Sequence, residues 1–215
     1  SDLLQMLNKS KYFSKLAISA CLLLGLSGIL TTAKAQFIGI NADVAIAYSA
    51  ASGSVSGGAV GISHPAPYFP NIGASRVTFN ETENTTSSAD ANSILTLETK
   101  TTISTVNFFY NVPFPVVSIA LGIGTGTLKT NALVKETTGG TAISDNSDLS
   151  TPVSEAFIHI GLPFWNTIEF HLGYHAMSVA NIDITSKSGI VVTNYNLDKK
   201  SYTGGMSTIG VQVAF

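Results

Sequence analysis

The last nine residues, Ser207 to Phe215, alternate strictly between apolar and small or polar side chains. Successive side chains of an extended strand point to opposite faces, so each set occupies its own face. A strand with one apolar and one polar face separates an apolar medium from a hydrated one. The apolar face carries Ile209, Val211, Val213 and Phe215, and the other carries Thr208, Gly210, Gln212 and Ala214.

The first 35 residues have the pattern of an export signal. Three lysines precede an apolar segment from Leu16 to Leu30, and Ala33-Lys34-Ala35 forms a small-residue cleavage site before Gln36. We predict a secretory signal peptide over residues 1–35 and a mature domain over 36–215. An uncleaved membrane anchor is the alternative. Two glycines and a serine interrupt the apolar segment, however, and a spanning helix needs about 20 apolar residues.

Composition narrows the class of the mature domain. Without residues 1–35, seven basic and twelve acidic residues leave a formal net charge of −5, so we expect no nucleic-acid partner. The single cysteine, Cys21, lies in the signal segment, so we expect no disulfide. Charged residues make up 11% of the chain, against roughly 25% in an average soluble protein. After Gln36 there is no long apolar run and no helical periodicity, which predicts an all-β protein.

Eight strands can be assigned, and they predict an eight-stranded antiparallel up-and-down transmembrane β-barrel. The second and third are the weakest because glycines and prolines blur their alternation. Ten strands would result if Leu133–Glu136 and Ile190–Asn194 belonged to extra hairpins; we favour extensions of the eight. The predicted strands cover about 37–48, 53–63, 71–82, 95–112, 117–126, 155–162, 168–175 and 203–215.

The alternation within the strands predicts which side chains face the interior. On the first strand Tyr48 is expected to face outward, and on the fourth strand Thr105 and Asn107 are expected to face inward. The fifth, sixth and seventh strands alternate in the same way, with their large aliphatic residues outward. The eighth strand is expected to pair with the first, which places Gln212 near Asn41 and Asp43.

The connections between these strands alternate between two chemistries. Three are short and rich in proline and aromatic residues, whereas the stretches Glu83–Ser93, Lys129–Ser150 and Thr185–Tyr202 are long and polar. Outer-membrane barrels have short periplasmic turns, long external loops and aromatic girdles at the membrane interfaces. We therefore expect both termini in the periplasm. The predicted periplasmic girdle consists of Phe37, Phe69, Phe114, Trp165 and Phe215.

Inward-facing polar residues are the candidates for chemistry. A narrow barrel is filled by side chains, and a buried carboxylate or imidazole needs hydrogen-bond partners. If the turn at Trp165 sets His159 opposite His171, then Glu155 lies opposite His175; a shift by one pair places Glu169 beside His159. We predict a structural network with no catalytic role, formed by Asn41, Asp43, Glu155, His159, Glu169, His171, His175 and Gln212.

The spacing of the inward-facing histidines argues against a bound metal ion or other cofactor. His171 and His175 face the same way but lie about 13 Å apart along one strand, at roughly 3.3 Å per residue. An ion bound at about 2.0–2.1 Å from each imidazole nitrogen cannot bridge that distance. Only His159 with His171 or Glu169 could come close enough to share an ion. We therefore predict no metal site and no cofactor.

Three stretches resemble the small outer-membrane β-barrel superfamily that includes the OmpA transmembrane domain and the opacity-type surface proteins. Asn107–Pro113 followed by Ala120–Gly126 is similar to its hairpin of an aromatic pair, a turn and alternating glycines. Ile168–His175 resembles its seventh strand, with histidine where arginine is common, and the terminal strand resembles its closing strand. The resemblance implies an eight-stranded barrel in contact with outer-membrane lipid and lipopolysaccharide. It also implies recognition of the C-terminal strand by the barrel-assembly machinery.

Three function classes follow. The leading one is a non-enzymatic surface or envelope protein whose external loops mediate interaction or adhesion, with a host or cell-surface ligand. The second is a narrow, porin-like channel for small or hydrophobic solutes. The third is a lipid A-modifying enzyme, because His175-Ala176-Met177-Ser178 resembles the paired histidine and serine of lipid A deacylases. Their spacing of three, instead of two, sends the two side chains to opposite faces.

Overall fold

The computed structural model describes residues 38–66, 68–86, 93–114, 116–138, 141–165, 167–182 and 201–215. Its strands form one closed barrel in which each strand pairs antiparallel with the next and the eighth pairs with the first. This confirms the predicted fold class. The strands are β1 (Gly39–Tyr48), β2 (Val55–Ser63), β3 (Asn71–Thr86), β4 (Ile94–Pro113), β5 (Ser118–Thr138), β6 (Thr141–Pro163), β7 (Ile168–Val179) and β8 (Gly204–Ala214).

The predicted signal peptide lies outside the described residues. No helix in the described part of the chain is long and apolar enough to cross a membrane.

The long hairpin of β5 and β6 differs from the prediction. Most of Lys129–Ser150 was expected to be a loop, but β5 continues to Thr138 and β6 begins at Thr141, with unbroken pairing between them. Backbone hydrogen bonds extend the hairpin, and Ala132 and Val134 of β5 pack against Leu95 and Leu97 of β4 in a small buried apolar cluster. Leu133–Glu136 is therefore an extension of β5, as favoured, and Ile190–Asn194 lies outside the described residues.

Side chains alternate between the exterior and the interior of the barrel. On β7, for example, Leu172 and Tyr174 are exposed whereas His171 and His175 are buried. The predicted faces of the fourth to seventh strands are correct at every position that the structure describes as clearly exposed or buried. Large apolar side chains therefore point outward from all eight strands.

Tyr48 is an exception, because it was expected to face outward. The pairing of β1 with β8 shifts between Ala45 and Ala47, which marks a β-bulge. A bulge inserts one extra residue and reverses the alternation beyond it. Tyr48 consequently lies inside the barrel, 3% exposed, and its hydroxyl donates a hydrogen bond to the carbonyl of Tyr202.

The interior is divided into two layers. Near the short turns it is polar and contains the predicted network. Farther from those turns it is filled by buried apolar side chains, which we call the apolar layer. This layer consists of Ala45, Tyr48, Val77, Phe79, Ile103, Leu128, Val153, Met177, Val179, Ile182, Tyr202 and Met206.

Candidate functional site in the barrel interior

Most of the predicted interior residues are buried. Asn41, Asp43, Glu155, His159, His171 and His175 are each at most 7% exposed, whereas Glu169 and Gln212 are partly exposed near the short turns. They are carried by β1, β6, β7 and β8, whose inward faces meet in the polar layer. The structure therefore brings side chains from both ends of the sequence into one volume.

Glu155 has a nearly complete set of hydrogen-bond donors. One carboxylate oxygen accepts a hydrogen bond from the Thr105 hydroxyl at 2.7 Å. The side-chain amide nitrogen of Asn107, turned toward Glu155, donates to the same oxygen at 3.0 Å. The other oxygen is paired with Nδ1 of His175. Thr105 is itself hydrogen-bonded to Ser75 at 2.6 Å. The barrel wall thus fixes the position of this buried carboxylate from three strands.

His175 extends the network toward a second histidine. Its Nε2 lies 3.0 Å from Nε2 of His159, and the two nitrogens share a hydrogen bond. The Phe157 ring stacks on His175 with ring centroids 4.9 Å apart and an interplanar angle of 20°. Because Glu155 occupies Nδ1 of His175, the imidazole is oriented with Nε2 toward the centre of the polar layer.

Asp43 and His171 form a second buried pair. Their Oδ1 and Nε2 atoms lie 2.6 Å apart, and both side chains are almost fully buried. The His171 ring is stacked on His159, with centroids 5.1 Å apart and an angle of 10°. One donor atom from each of Asp43, His159 and His171 lies within 4.8 Å of the other two. The two pairs are therefore joined through His159.

Both predicted registers of the sixth and seventh strands are wrong. His159 pairs with Gly173, Glu155 with Met177, and Pro163 with Glu169. In these pairs the hairpin is centred on position 166, whereas the first predicted register is centred on Trp165. Each residue of the sixth strand therefore faces a residue two positions farther along the seventh strand than in that register. His159 is thus diagonal to both His171 and His175, a separation that long side chains span. His159 therefore contacts both histidines of β7: its ring stacks on His171 and its Nε2 shares a hydrogen bond with His175.

The seam between the first and eighth strands follows the prediction. Gln212 pairs with Asn41, and Gly210 pairs with Asp43. Gln212 also pairs with Glu169, whose carboxylate accepts a hydrogen bond of 2.5 Å from the Ser118 hydroxyl. Glu169 therefore belongs to a separate contact near the short turns and is not beside His159.

Two glycines leave the space that the histidines occupy. A Cβ added at Gly210 would clash with both Asp43 Oδ1 and His171 Nε2. A Cβ at Gly173 would lie 2.8 Å from His159 Nε2, which is too short for a side-chain contact. The small inward residues of β7 and β8 are thus a steric requirement of the network.

The arrangement includes a hydroxyl, an imidazole and a carboxylate in line. Thr208 Oγ1 lies 3.3 Å from His175 Nε2, and Glu155 holds the opposite nitrogen of that ring. This order is that of a nucleophile, a general base and an orienting acid. Thr208 is 1% exposed, however, and His159 competes for the same nitrogen. Ser178 points outward, as its spacing from His175 predicted.

The aromatic residues predicted for the girdle cluster at one end of the barrel. Phe69, Phe114 and Trp165 lie at three short connections, and the Phe215 amide donates to the Ile38 carbonyl at the start of the first strand. Phe69, Trp165 and Phe215 are each about two-thirds exposed, whereas Phe114 is partly buried. Phe37 lies outside the described residues. The periplasmic assignment of this end stays a prediction.

Sequence reasoning missed part of the interior. Thr105 and Asn107 were placed inward but were not connected to Glu155, and the apolar layer was not anticipated. Its signal was present in β4, because the alternation that places Thr105 inward also places Ile103 inward. The sequence-based prediction groups only the polar inward residues and therefore does not include this apolar set.

Comparison with known proteins gives structural likenesses at low identity. No protein family model matches the chain, and no curated protein matches it. The chain is similar to the crystal structure of Neisserial surface protein A, with 12% identity, a TM-score of 0.45, and coverage of 85% of this chain and 98% of the other.

Two further solved structures are similar to the same extent. A major outer membrane protein from Thermus thermophilus has 11% identity and a TM-score of 0.48, with coverage of 83% of this chain and 99% of the other. The N-terminal β-barrel domain of Pseudomonas aeruginosa OprF has 12% identity and a TM-score of 0.40, with coverage of 84% and 98%.

Proposed function

We propose that this chain is an integral outer-membrane β-barrel that acts as a non-enzymatic surface protein of the bacterial envelope. Its short turns and both termini face the periplasm, and its long hairpins face outward, where they contact ligands on host or other cells. The observation that carries this proposal is a belt of exposed apolar side chains around the whole barrel. The polar network inside serves to hold the barrel together.

The belt is too large for a water-soluble monomer, whose largest exposed apolar patch is typically a few hundred Å². Every strand contributes to it, so it has no polar side on which the barrel could meet water. A closed barrel also satisfies its own backbone hydrogen bonds, which lipid requires. The belt includes Ile40, Val44, Val60, Ile62, Ile72, Val106, Phe108, Tyr110, Leu121, Ile123, Ile158, Ile160, Leu162, Phe170, Leu172, Tyr174 and Ile209.

The orientation can be tested with inserted epitopes. A tag between Gly139 and Gly140, in the connection between β5 and β6, is expected to bind antibody on intact cells. The matched control is the same tag between Trp165 and Asn166, in the short connection between β6 and β7. It should bind only after the outer membrane is permeabilised. Antibody access to the control tag on intact cells, or to neither tag after permeabilisation, would reject the proposed topology.

Cationic side chains beyond the belt support contact with lipopolysaccharide. Arg76, Lys100 and Lys129 are exposed on the outer faces of the neighbouring strands β3, β4 and β5, four to six residues beyond the belt toward the long hairpins. The strand register places them in one region of the outer surface. Arg76 lies opposite Ser104 and Lys129 lies opposite Thr102, which are on the same strand as Lys100, four and two residues from it. In the proposed orientation this cationic group meets the phosphates of the outer leaflet.

Replacing Arg76, Lys100 and Lys129 together with glutamine is expected to weaken lipopolysaccharide binding by roughly a hundredfold. Each cation near an anionic lipid surface contributes about 1 kcal/mol, and 1.4 kcal/mol corresponds to tenfold. Binding of the purified barrel to lipopolysaccharide would be measured by titration. The control is Lys135→Gln, because Lys135 is already paired with Glu98 at 2.6 Å. Equal affinity of the triple variant and the control would contradict this role.

A surface role is favoured over a channel because the interior is filled in two layers. The apolar layer contains Ile103 and Leu128 at 0% exposure, and below it the aromatic rings of Phe109 and Phe157 lie 6.2 Å apart. A lipid A-modifying activity is less well supported, since Ser178 and His175 lie on opposite sides of the barrel wall. The long external hairpins are then the part of the protein free to bind other molecules.

A further inference from the structure

We propose that Asp43, His159 and His171 bind one divalent transition-metal ion of the zinc class inside the barrel. The strand spacing argues against a shared ion for His171 and His175 but leaves His159 and His171 as a pair that could come close. The donor atoms of Asp43, His159 and His171 lie within 4.8 Å of one another. All three side chains are buried. This site is independent of the proposed surface role, since it depends only on the interior of the barrel.

The donor set matches the chemistry of such an ion. Imidazole nitrogens and a carboxylate oxygen are the ligands that zinc, copper and nickel accept. Tetrahedral zinc with ligands at about 2.0–2.1 Å holds neighbouring donors about 3.3 Å apart. Asp43 and His171 are 2.6 Å apart, so they must separate by less than an ångström.

One ligand is already held by neighbouring side chains, as a metal-bound histidine would be. Metal-binding histidines usually have their other ring nitrogen in a hydrogen bond that fixes the ring. Nε2 of His159 shares a hydrogen bond with Nε2 of His175, and Nδ1 of His175 is paired with Glu155. Thr105 and Asn107 hold Glu155 in turn. His175 and Glu155 thus orient His159 without binding the ion themselves.

The charge of the interior favours a cation. Asp43 and Glu155 are buried carboxylates in the polar layer. Among the residues that the structure describes, all lysines and arginines lie on outward positions of the strands: Arg76, Lys100, Lys129 and Lys135. Buried charges are costly unless they are paired or coordinate a metal. An ion of charge +2 would neutralise both carboxylates in one place.

The glycines of β7 and β8 provide the necessary space. A side chain at Gly210 would occupy the position beside both Asp43 Oδ1 and His171 Nε2, and one at Gly173 would occupy the position beside His159 Nε2. The volume next to the donor atoms is therefore kept open by two residues without side chains. Gly210→Ala would fill it while leaving all three ligands in the chain.

The test uses the folded barrel in detergent, treated with chelator and then titrated with Zn²⁺ by calorimetry and with Co²⁺ by absorption spectroscopy. We expect one Zn²⁺ per barrel and a Co²⁺ spectrum typical of tetrahedral coordination by nitrogen and oxygen. His159→Gln and His171→Gln should each weaken binding at least tenfold. His64→Gln is the matched control, because the fourth histidine lies in the β2–β3 turn, where its ring contacts Pro70. It should bind Zn²⁺ as the wild type does.

Four results would overturn the proposal: no stoichiometric Zn²⁺ binding by the wild type, unchanged affinity in His159→Gln, an equal loss in His64→Gln, or an octahedral Co²⁺ spectrum of the wild type. Circular dichroism and gel mobility before and after heating establish that each variant is folded. If a histidine variant does not fold, Gly210→Ala replaces it and should also weaken binding at least tenfold. The wild-type Co²⁺ spectrum requires no variant.

Discussion

Replacing Glu155 with alanine is expected to lower the free energy of unfolding of the barrel by about 3–5 kcal/mol. Removing one partner from a buried ionic pair costs about this much, because the remaining group stays buried without compensation. Here the loss affects Nδ1 of His175, the hydroxyl of Thr105 and the amide of Asn107 together. Urea-induced unfolding in lipid vesicles, followed by the fluorescence of the single tryptophan, Trp165, measures the change.

The matched control for this experiment is Glu98→Ala. Glu98 also pairs with a partner, Lys135, at 2.6 Å, but both side chains are 42% exposed. Exposed ion pairs contribute about 0–1 kcal/mol, so the control should unfold nearly as the wild type does. Both variants are measured in chelator, which removes any contribution of a bound ion. A loss below about 1 kcal/mol for Glu155→Ala, or equal losses for the two variants, would contradict the role given to the polar layer.

The second large effect concerns the apolar layer, which is expected to make the barrel impermeable. The sole cysteine of the chain is Cys21, so single cysteines can be introduced in a Cys21→Ser background. Leu128→Cys, at a fully buried position, should react with a maleimide at least about a hundredfold more slowly than Thr137→Cys, at an exposed one. The reason is that a buried thiol reacts only when the barrel opens locally. A free energy of opening of about 2.8 kcal/mol already slows the reaction about a hundredfold.

Planar bilayer recordings complete this test. The wild-type barrel should produce no discrete conductance steps, because water cannot fill an interior lined by packed apolar side chains. Both cysteine variants should react at the same rate in denaturant, and Val153→Cys is a second buried position if Leu128→Cys does not fold. Conductance steps together with fast labelling of the buried thiols would instead favour the channel hypothesis.

The eight strands and their faces could be predicted because period-two alternation is a local property. The prediction was wrong where that signal is weak or interrupted. The stretch Lys129–Ser150 contains few apolar residues, and its buried pair, Ala132 and Val134, is too short a pattern to indicate a strand. At Tyr48 a single extra residue in β1 reversed the faces.

The candidate site was less accessible to sequence reasoning than the fold. The polar residues that face inward could be named, but their partners depend on the register of β6 and β7. That register was decided by one position in the turn after Trp165. The contact between Asp43 and His171 joins residues 128 positions apart, and only the closed barrel determines it.

The seam between β1 and β8 has a consequence for how the barrel forms. All other strand pairs are hairpins of neighbouring strands, whereas Gly39 and Ala214 meet across almost the entire described chain. Pairing of segments that are distant in sequence costs loop-closure entropy, and this cost slows folding. Asp43 and His171 lie on the two strands that flank β8, so their contact can form only when the circle closes. Closure and completion of the network should therefore be one cooperative, rate-limiting step in folding.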